Sequence, residues 1–242
     1  FLILKTPALS TFTSMGLRRL MGQDPTLAQA TDLGWLGFSY VAFRLIHTLI
    51  DRLNGRLADI RLGEYLVYVL FFPAIVAGPL DRLGRFRKDL QDPQPLDAET
   101  LLGSGKRLAV GLFSKFILAD SLALMALSGT NALQVHSTGW MWLVLFAYSF
   151  QIYFDFAGYT DIAIGTGNLL GFQLPENFNQ PYLKPNLTQF WNNWHITLTQ
   201  WFRSYTFFPL TRFLRSNKRL PVPFVIFITQ FSTMLVIGLW HG

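Results

Sequence analysis

Residues 186–205 read Asn186-Leu-Thr-Gln-Phe-Trp-Asn-Asn-Trp-His195-Ile-Thr-Leu-Thr-Gln-Trp-Phe-Arg-Ser-Tyr205. At helical period Trp191, Trp194, His195, Leu198, Trp201, Phe202 and Tyr205 fall on one face. Asn192, Asn193, Thr197, Thr199, Gln200 and Arg203 fall mostly on the other. Asn186 followed three residues later by Gln189 reads as a helix-start capping pair, and Pro209 is expected to close the helix. His195 thus lies in an aromatic stripe, away from water. An imidazole there needs a hydrogen-bond partner or a function.

The surroundings of this stretch are apolar. Hydrophobic residues make up 51% of the 242-residue chain and charged ones 14%, where an ordinary soluble domain is about one quarter charged. Several runs approach the roughly 20 apolar residues that cross a bilayer. The expected fold is all-α: a multi-pass transmembrane bundle forming one membrane domain over residues 1–242, with short or re-entrant helices lining a central cavity. The formal charge of +6 does not point to nucleic acid, because Lys and Arg gather in short segments (82–88, 106–107 and 212–219) between apolar runs. That is the positive-inside pattern. The absence of cysteine removes disulfides, thiolate metal sites and cysteine nucleophiles. A start at Phe1 and an end at Gly242, directly behind an apolar run, suggest the central part of a longer chain.

Working outward, residues 33–50 form a helix in which Arg44, His47 and Asp51 share a face, read as a polar stripe paired against neighbouring helices. Residues 51–64 are a charged connector. The apolar run 65–80 is broken by Pro73 and Gly78-Pro79; at 1.5 Å per residue it covers only about 24 Å, so a kinked element lining a cavity is expected. Asp81-Arg82 is read as a solvated pair opening a cytoplasmic basic loop. Spans follow at 108–127, interrupted by Lys115, and at 139–157, anchored by Trp140 and Trp142. The loop between them, with an exposed His136, is placed outside. Gln151, Asp155 and Tyr159 repeat on one helical face, and Asp161 follows; carboxylates in an apolar run face a bundle interior or a wet cavity. Residues 172–187, with three prolines, are a loop. The last span is 221–240, ending at Trp240-His241.

For His195 the competing readings are a buried, hydrogen-bonded structural histidine and a functional one; for His241, an interfacial residue beside a belt tryptophan. Two imidazoles with carboxylates available to orient them suggest proton transfer. Their separation of 46 residues matches no metal-ligand spacing, so no metal is expected.

Several ordered motifs add to this: Gly37-Phe-Ser-Tyr40, Phe71-Phe-Pro73, Ala77-Gly-Pro-Leu-Asp81-Arg82, Gly111-Leu-Phe-Ser-Lys115, Tyr153-Phe-Asp-Phe-Ala-Gly-Tyr-Thr-Asp161, Leu174-Pro-Glu-Asn-Phe178, Phe190-Trp-Asn-Asn-Trp-His195 and Gly238-Leu-Trp-His-Gly242. Together they resemble the membrane-bound O-acyltransferase (MBOAT) family, in its bacterial branch of alginate O-acetylation and teichoic-acid D-alanylation proteins. The resemblance implies transfer of an acyl group, such as acetyl, to a hydroxyl of a cell-envelope polysaccharide or similar acceptor. It implies a multi-pass protein of the bacterial inner membrane with no bound cofactor. The donor would be acyl-CoA or an acyl-carrier thioester. Partners would be the bilayer, the donor, the acceptor and an extracytoplasmic acyltransferase or acyl-carrier protein.

The family's most constant histidine matches His241, expected to be the general base, and its second polar position matches His195, expected to assist. Trp191, Asn192, Trp194, Arg203, Asp155, Tyr159, Asp161 and Trp240 are expected to bind substrate or support the histidines. Asn192-Asn193 departs from the arginines that many relatives carry there. Two other classes stay open: a transporter or channel subunit using the same polar residues as a pathway, and a non-catalytic scaffold for a partner enzyme.

Overall fold

The computed structural model describes residues 6–33, 37–216 and 218–241, with the side chain of Leu33 excepted. Among them all regular structure is helical. The principal helices are α1 Pro7–Leu20, α2 Phe38–Leu53, α3 Leu62–Val69, α4 Leu83–Gln91, α5 Ala98–Phe113, α6 Thr138–Leu169, α7 Leu187–Asn193, α8 Ile196–Phe202, α9 Phe208–Arg215 and α10 Val222–His241. By length and composition α10 is the one described helix able to cross a membrane. The other predicted spans are shorter, interrupted or less apolar.

The predicted helix over 33–50 begins at Phe38; residues 34–36 lie outside the described residues, as does Gly242 of the last motif. The predicted span 108–127 starts earlier, at Ala98, because Asp97 caps it by accepting from the Thr100 N–H. It continues past Phe113 through a π-helical stretch, Ser114–Ala119, into Asp120–Ala123. The predicted span 139–157 runs 32 residues, Thr138–Leu169, about 48 Å at the helical rise. Nothing stops it at Asp155, whose carboxylate meets Lys115 of the π stretch.

α5 and α6 approach closely because small residues face each other. A Cβ on Gly111 would stand 2.8 Å from the Gly158 carbonyl oxygen, and one on Gly158 would stand 2.7 Å from that of Gly111. Such seams let apolar helices pack by backbone contact where lipid removes the hydrophobic drive between them. Arg107 ties the same pair, donating to Asp161 of α6 at 2.8 Å.

The run 65–80 is broken as expected, and protein buries the break. α3 ends at Val69, a 3-10 turn covers Phe72–Ala74, and Ala74 is 0% exposed. Carbonyls freed there find a cation: Arg44 of α2, itself buried, donates to Val69 O at 2.9 Å and Ala74 O at 2.8 Å. A buried guanidinium thus replaces the helix's own hydrogen bonds.

The rest of the α2 stripe also pairs with neighbouring elements. His47 Nε2 meets the Tyr68 hydroxyl at 2.8 Å, and Asp51 accepts from the Tyr205 hydroxyl at 2.6 Å. Asp81 is not a solvated partner of Arg82. It is buried, accepting from the Arg82 backbone N–H and from Arg85 Nε, while the Arg82 guanidinium turns to Ser204 and Tyr205.

Two hydrophobic clusters result. One joins Val41, Tyr68, Phe71, Phe86, Phe172 and Leu174. The other joins Tyr40 and Phe43 of α2 with Leu80, Leu198, Trp201 and Phe202, and the Trp240 end of α10 packs on it.

Candidate functional site

The predicted continuous helix over 186–205 is in fact two helices of seven residues each, α7 and α8, separated at Trp194-His195. The expected cap is present, with the Asn186 side chain accepting from the Gln189 N–H at 2.9 Å. Pro209 does not close the element. The chain passes through a π-helical stretch, Arg203–Phe207, into α9, where Pro209 sits in the first turn and its missing N–H costs nothing.

The break is at His195, whose φ of 44° is left-handed, a conformation costing a non-glycine residue roughly 1–2 kcal/mol. Something outside the helix must hold it, and that is Asn177. The Asn177 carbonyl accepts from the Ile196 N–H at 2.9 Å, and its side-chain Oδ1 accepts from the Thr197 N–H at 3.3 Å. Both are N–H groups that an uninterrupted helix would bond four residues back. With them taken by residue 177, the helix divides. Two residues upstream of His195 the loop pairs again, Asn179 N–H to Asn193 O at 3.1 Å.

Asn177 is 0% exposed, and its loop is anchored independently. Arg107 grips Glu176 with both terminal nitrogens, at 2.6 and 2.5 Å, a bidentate geometry that fixes direction as well as distance. Thr197 extends the net, donating through Oγ1 to Asn177 Oδ1 at 2.8 Å and accepting from the Leu80 N–H at 3.0 Å.

The His195 ring lies at the centre, 5% exposed. Its Nδ1 is 3.1 Å from Asn177 Oδ1, and its Nε2 is 3.3 Å from the Tyr40 hydroxyl. Phe156 meets it edge-on, ring centroids 4.6 Å apart. Burial first, and then charge on the nearby His241, hold this imidazole toward its neutral form. The end of α10 packs beside the same helix: the Trp240 ring lies tilted against Phe43 with centroids 5.3 Å apart, and against its neighbour His241 at 4.2 Å. The fold therefore brings His195 together with Tyr40 and Asn177, and seats Trp240, next to His241, on Phe43 of the same helix as Tyr40.

The other expected site residues are dispersed; for Trp191 and Trp194 the division of the helix removes the face expected to be shared with His195. Trp191 is 38% exposed and packs on Phe190. Trp194 turns to Tyr153, Phe178, Tyr182 and Phe190. Asn192 accepts from Arg203 at 2.8 Å on an exposed face. Asp155 pairs with Lys115 and Asp161 with Arg107. The Tyr159 hydroxyl donates to Pro73 O at 3.4 Å, beside the broken run. Among the described residues no three His, Asp or Glu side chains cluster as metal ligands.

Tyr40 and Asn177 were not predicted, although each lies in a motif that carries the family resemblance, Gly37-Phe-Ser-Tyr40 and Leu174-Pro-Glu-Asn-Phe178. Periodicity could not single them out: one is an aromatic on an apolar helix, the other a loop asparagine.

Among the described residues the chain is all-helical, and its span-length apolar helix ends on an aromatic cluster whose Tyr40 hydrogen-bonds the buried imidazole. The whole of residues 1–242 matches the membrane-bound O-acyltransferase family, MBOAT, and the chain belongs to that family. A "Teichoic acid D-alanyltransferase" of Streptococcus thermophilus is 35% identical over 234 residues, covering 92% of this chain and 56% of the relative. The protein of the same name from Bacillus subtilis is 32% identical over 214 residues, covering 87% and 54%. A "Probable alginate O-acetylase AlgI" of Pseudomonas aeruginosa is 39% identical over 211 residues, covering 86% and 38%. The chain thus spans about half the length, or less, of the curated relatives it matches.

Proposed function

We propose that this chain belongs to a multi-pass O-acyltransferase of the bacterial inner membrane. It would move an acyl group, such as acetyl, from an activated donor to a hydroxyl of a cell-envelope polysaccharide. The observation that supports this reading is the buried His195 ring, hydrogen-bonded to Tyr40 of the aromatic cluster on which the Trp240 end of α10 packs. The names of the relatives supply the reaction class, D-alanyl transfer in two and O-acetylation in the third. The donor would be acyl-CoA or an acyl-carrier thioester acting as co-substrate, and the hand-over would involve a carrier protein or an extracytoplasmic acyltransferase.

The chemistry follows from the groups present. A hydroxyl ionises far above neutral pH, so its oxygen attacks a thioester carbonyl only as a base removes its proton. A positioned imidazole contributes roughly 10²–10⁴-fold to such a step. We assign the base to His241. The oxygen–carbon bond forms as the proton passes to the imidazole; the tetrahedral adduct then collapses, the carbon–sulfur bond breaks, and the proton is returned to the departing thiolate. His195, neutral and fixed at a turn, would orient the acceptor.

The test is acyl transfer in membranes by the full-length protein carrying His241→Ala or His195→Ala at matched expression. Loss of turnover of roughly 10²-fold or more is expected for His241→Ala and a smaller loss for His195→Ala. Normal turnover in the His241 variant would end the assignment.

A further inference from the structure

The orientation of the Asn177 amide does not have to be assumed. A backbone N–H can only donate, so the Asn177 atom 3.3 Å from the Thr197 N–H is the oxygen. The Thr197 hydroxyl must accept from the Leu80 N–H at 3.0 Å, so its proton is free to point at the same Oδ1, 2.8 Å away. His195 Nδ1 is 3.1 Å from that oxygen. An amide oxygen offers no hydrogen, so Nδ1 must carry one. In a neutral imidazole the proton can then not be on Nε2, whose lone pair faces the Tyr40 hydroxyl.

We infer that Asn177 is a positioning residue that fixes His195 in the Nδ1–H tautomer and directs the Nε2 lone pair toward Tyr40 as the ring's single basic site. Three further observations fit this role and no other evident one. The Asn177 side chain is used only as an acceptor: Nδ2 is buried and has no partner among the described residues. Its loop is held by the Arg107–Glu176 clamp and not by His195. The same residue sets the left-handed turn at His195, so backbone direction and ring tautomer are fixed together. Among the described residues, Tyr40 from α2 and His241 from α10 are the titratable groups facing the ring. No carboxylate does, so an amide, without net charge, selects the tautomer and leaves the imidazole neutral.

This inference rests on the acyl-transfer reading for its consequence but not for its test. The full-length protein, labelled with ¹⁵N-histidine in lipid nanodiscs, gives ring-nitrogen spectra in which His195 is identified by the signals lost in His195→Gln. A protonated Nδ1 and an unprotonated Nε2 are expected near neutral pH. The reverse pattern would overturn the inference whether or not the protein transfers acyl groups, and needs no variant at residue 177 to fold.

Two variants carry it further. Asn177→Asp keeps all three acceptor bonds but adds a negative charge beside Nδ1. That favours imidazolium, so the pH at which the His195 ring nitrogens take up the second proton, followed in the same spectra, should move upward by about one unit. Asn177→Ala frees the tautomer and should lower kcat roughly 10²-fold with little change in KM. An Asn177→Asp titration of His195 that superimposes on the parent, or a folded Asn177→Ala protein with parental kcat, would overturn the assignment. A purely structural asparagine would change folded yield and leave the His195 titration in place.

Discussion

The α5–α6 pair and the turn at His195 solve the same problem in opposite ways. In α5 and α6 the backbone satisfies itself over long stretches, and side chains are left to pack: Gly111 against Gly158, and Gly165 against Ser104 and Leu108. At His195, as at the break after Val69, the backbone does not satisfy itself, and buried polar side chains complete it: Asn177 and Thr197 in one place, Arg44 in the other. Regular helix leaves a side chain no fixed relation to anything beyond its own face. Broken helix held by named side chains fixes a ring in space. That difference explains why the buried imidazole lies at the interruption and not along the long helices.

The largest expected effect bears on the broken side of this comparison. Arg44→Met would leave the Val69 and Ala74 carbonyls buried without a donor. At about 1–3 kcal/mol each, roughly 2–6 kcal/mol of stability should be lost, read as a lower unfolding temperature in detergent. Parental stability would show that those carbonyls are hydrated. On the regular side, Gly158→Ala puts a methyl 2.7 Å from the Gly111 carbonyl oxygen. The helices must separate, at a cost of about 1–3 kcal/mol, while His195 chemistry should survive in the protein that folds.

Smaller effects sharpen the distinction. Glu176→Gln weakens the clamp on the Asn177 loop. Because Glu176 is 54% exposed, the stability cost should stay near 1 kcal/mol, yet turnover should fall, since the loop sets the His195 turn. A stability loss without a turnover loss would separate the clamp from the site. Lys115→Gln should be the mildest change, within about 1 kcal/mol, because its partner Asp155 is 52% exposed. A much larger loss would mean that lipid, and not water or protein, faces that pair.

Legibility in the sequence follows the same division. Helix type, the break at 65–80, the cap at Asn186 and the loop over 172–187 were readable, because each depends on local chemistry: hydrophobic period, proline, an asparagine before a helical run. The division at His195 was not, because its cause lies 18 residues upstream, in a loop asparagine that outcompetes helical N–H···O bonds. Trp191 shares a face with His195 only if the helix is continuous, and the structure leaves it at the surface, as it does Asn192 and Arg203 from the opposite face. Asp155, Tyr159 and Asp161, expected to support the histidines, bond instead to Lys115, Pro73 and Arg107. Family likeness covered what periodicity could not, since Tyr40 and Asn177 both stand inside its motifs.

The central claim is that His195 and His241, 46 residues apart in the chain, serve one chemical step. The most direct measurement is a double-variant cycle on acyl-transfer turnover with His195→Ala, His241→Ala and both together. Residues acting as a unit lose no more in combination than the worse single change. The expected result is a double variant no slower than His241→Ala alone. Losses that multiply would contradict it, showing two imidazoles that act independently.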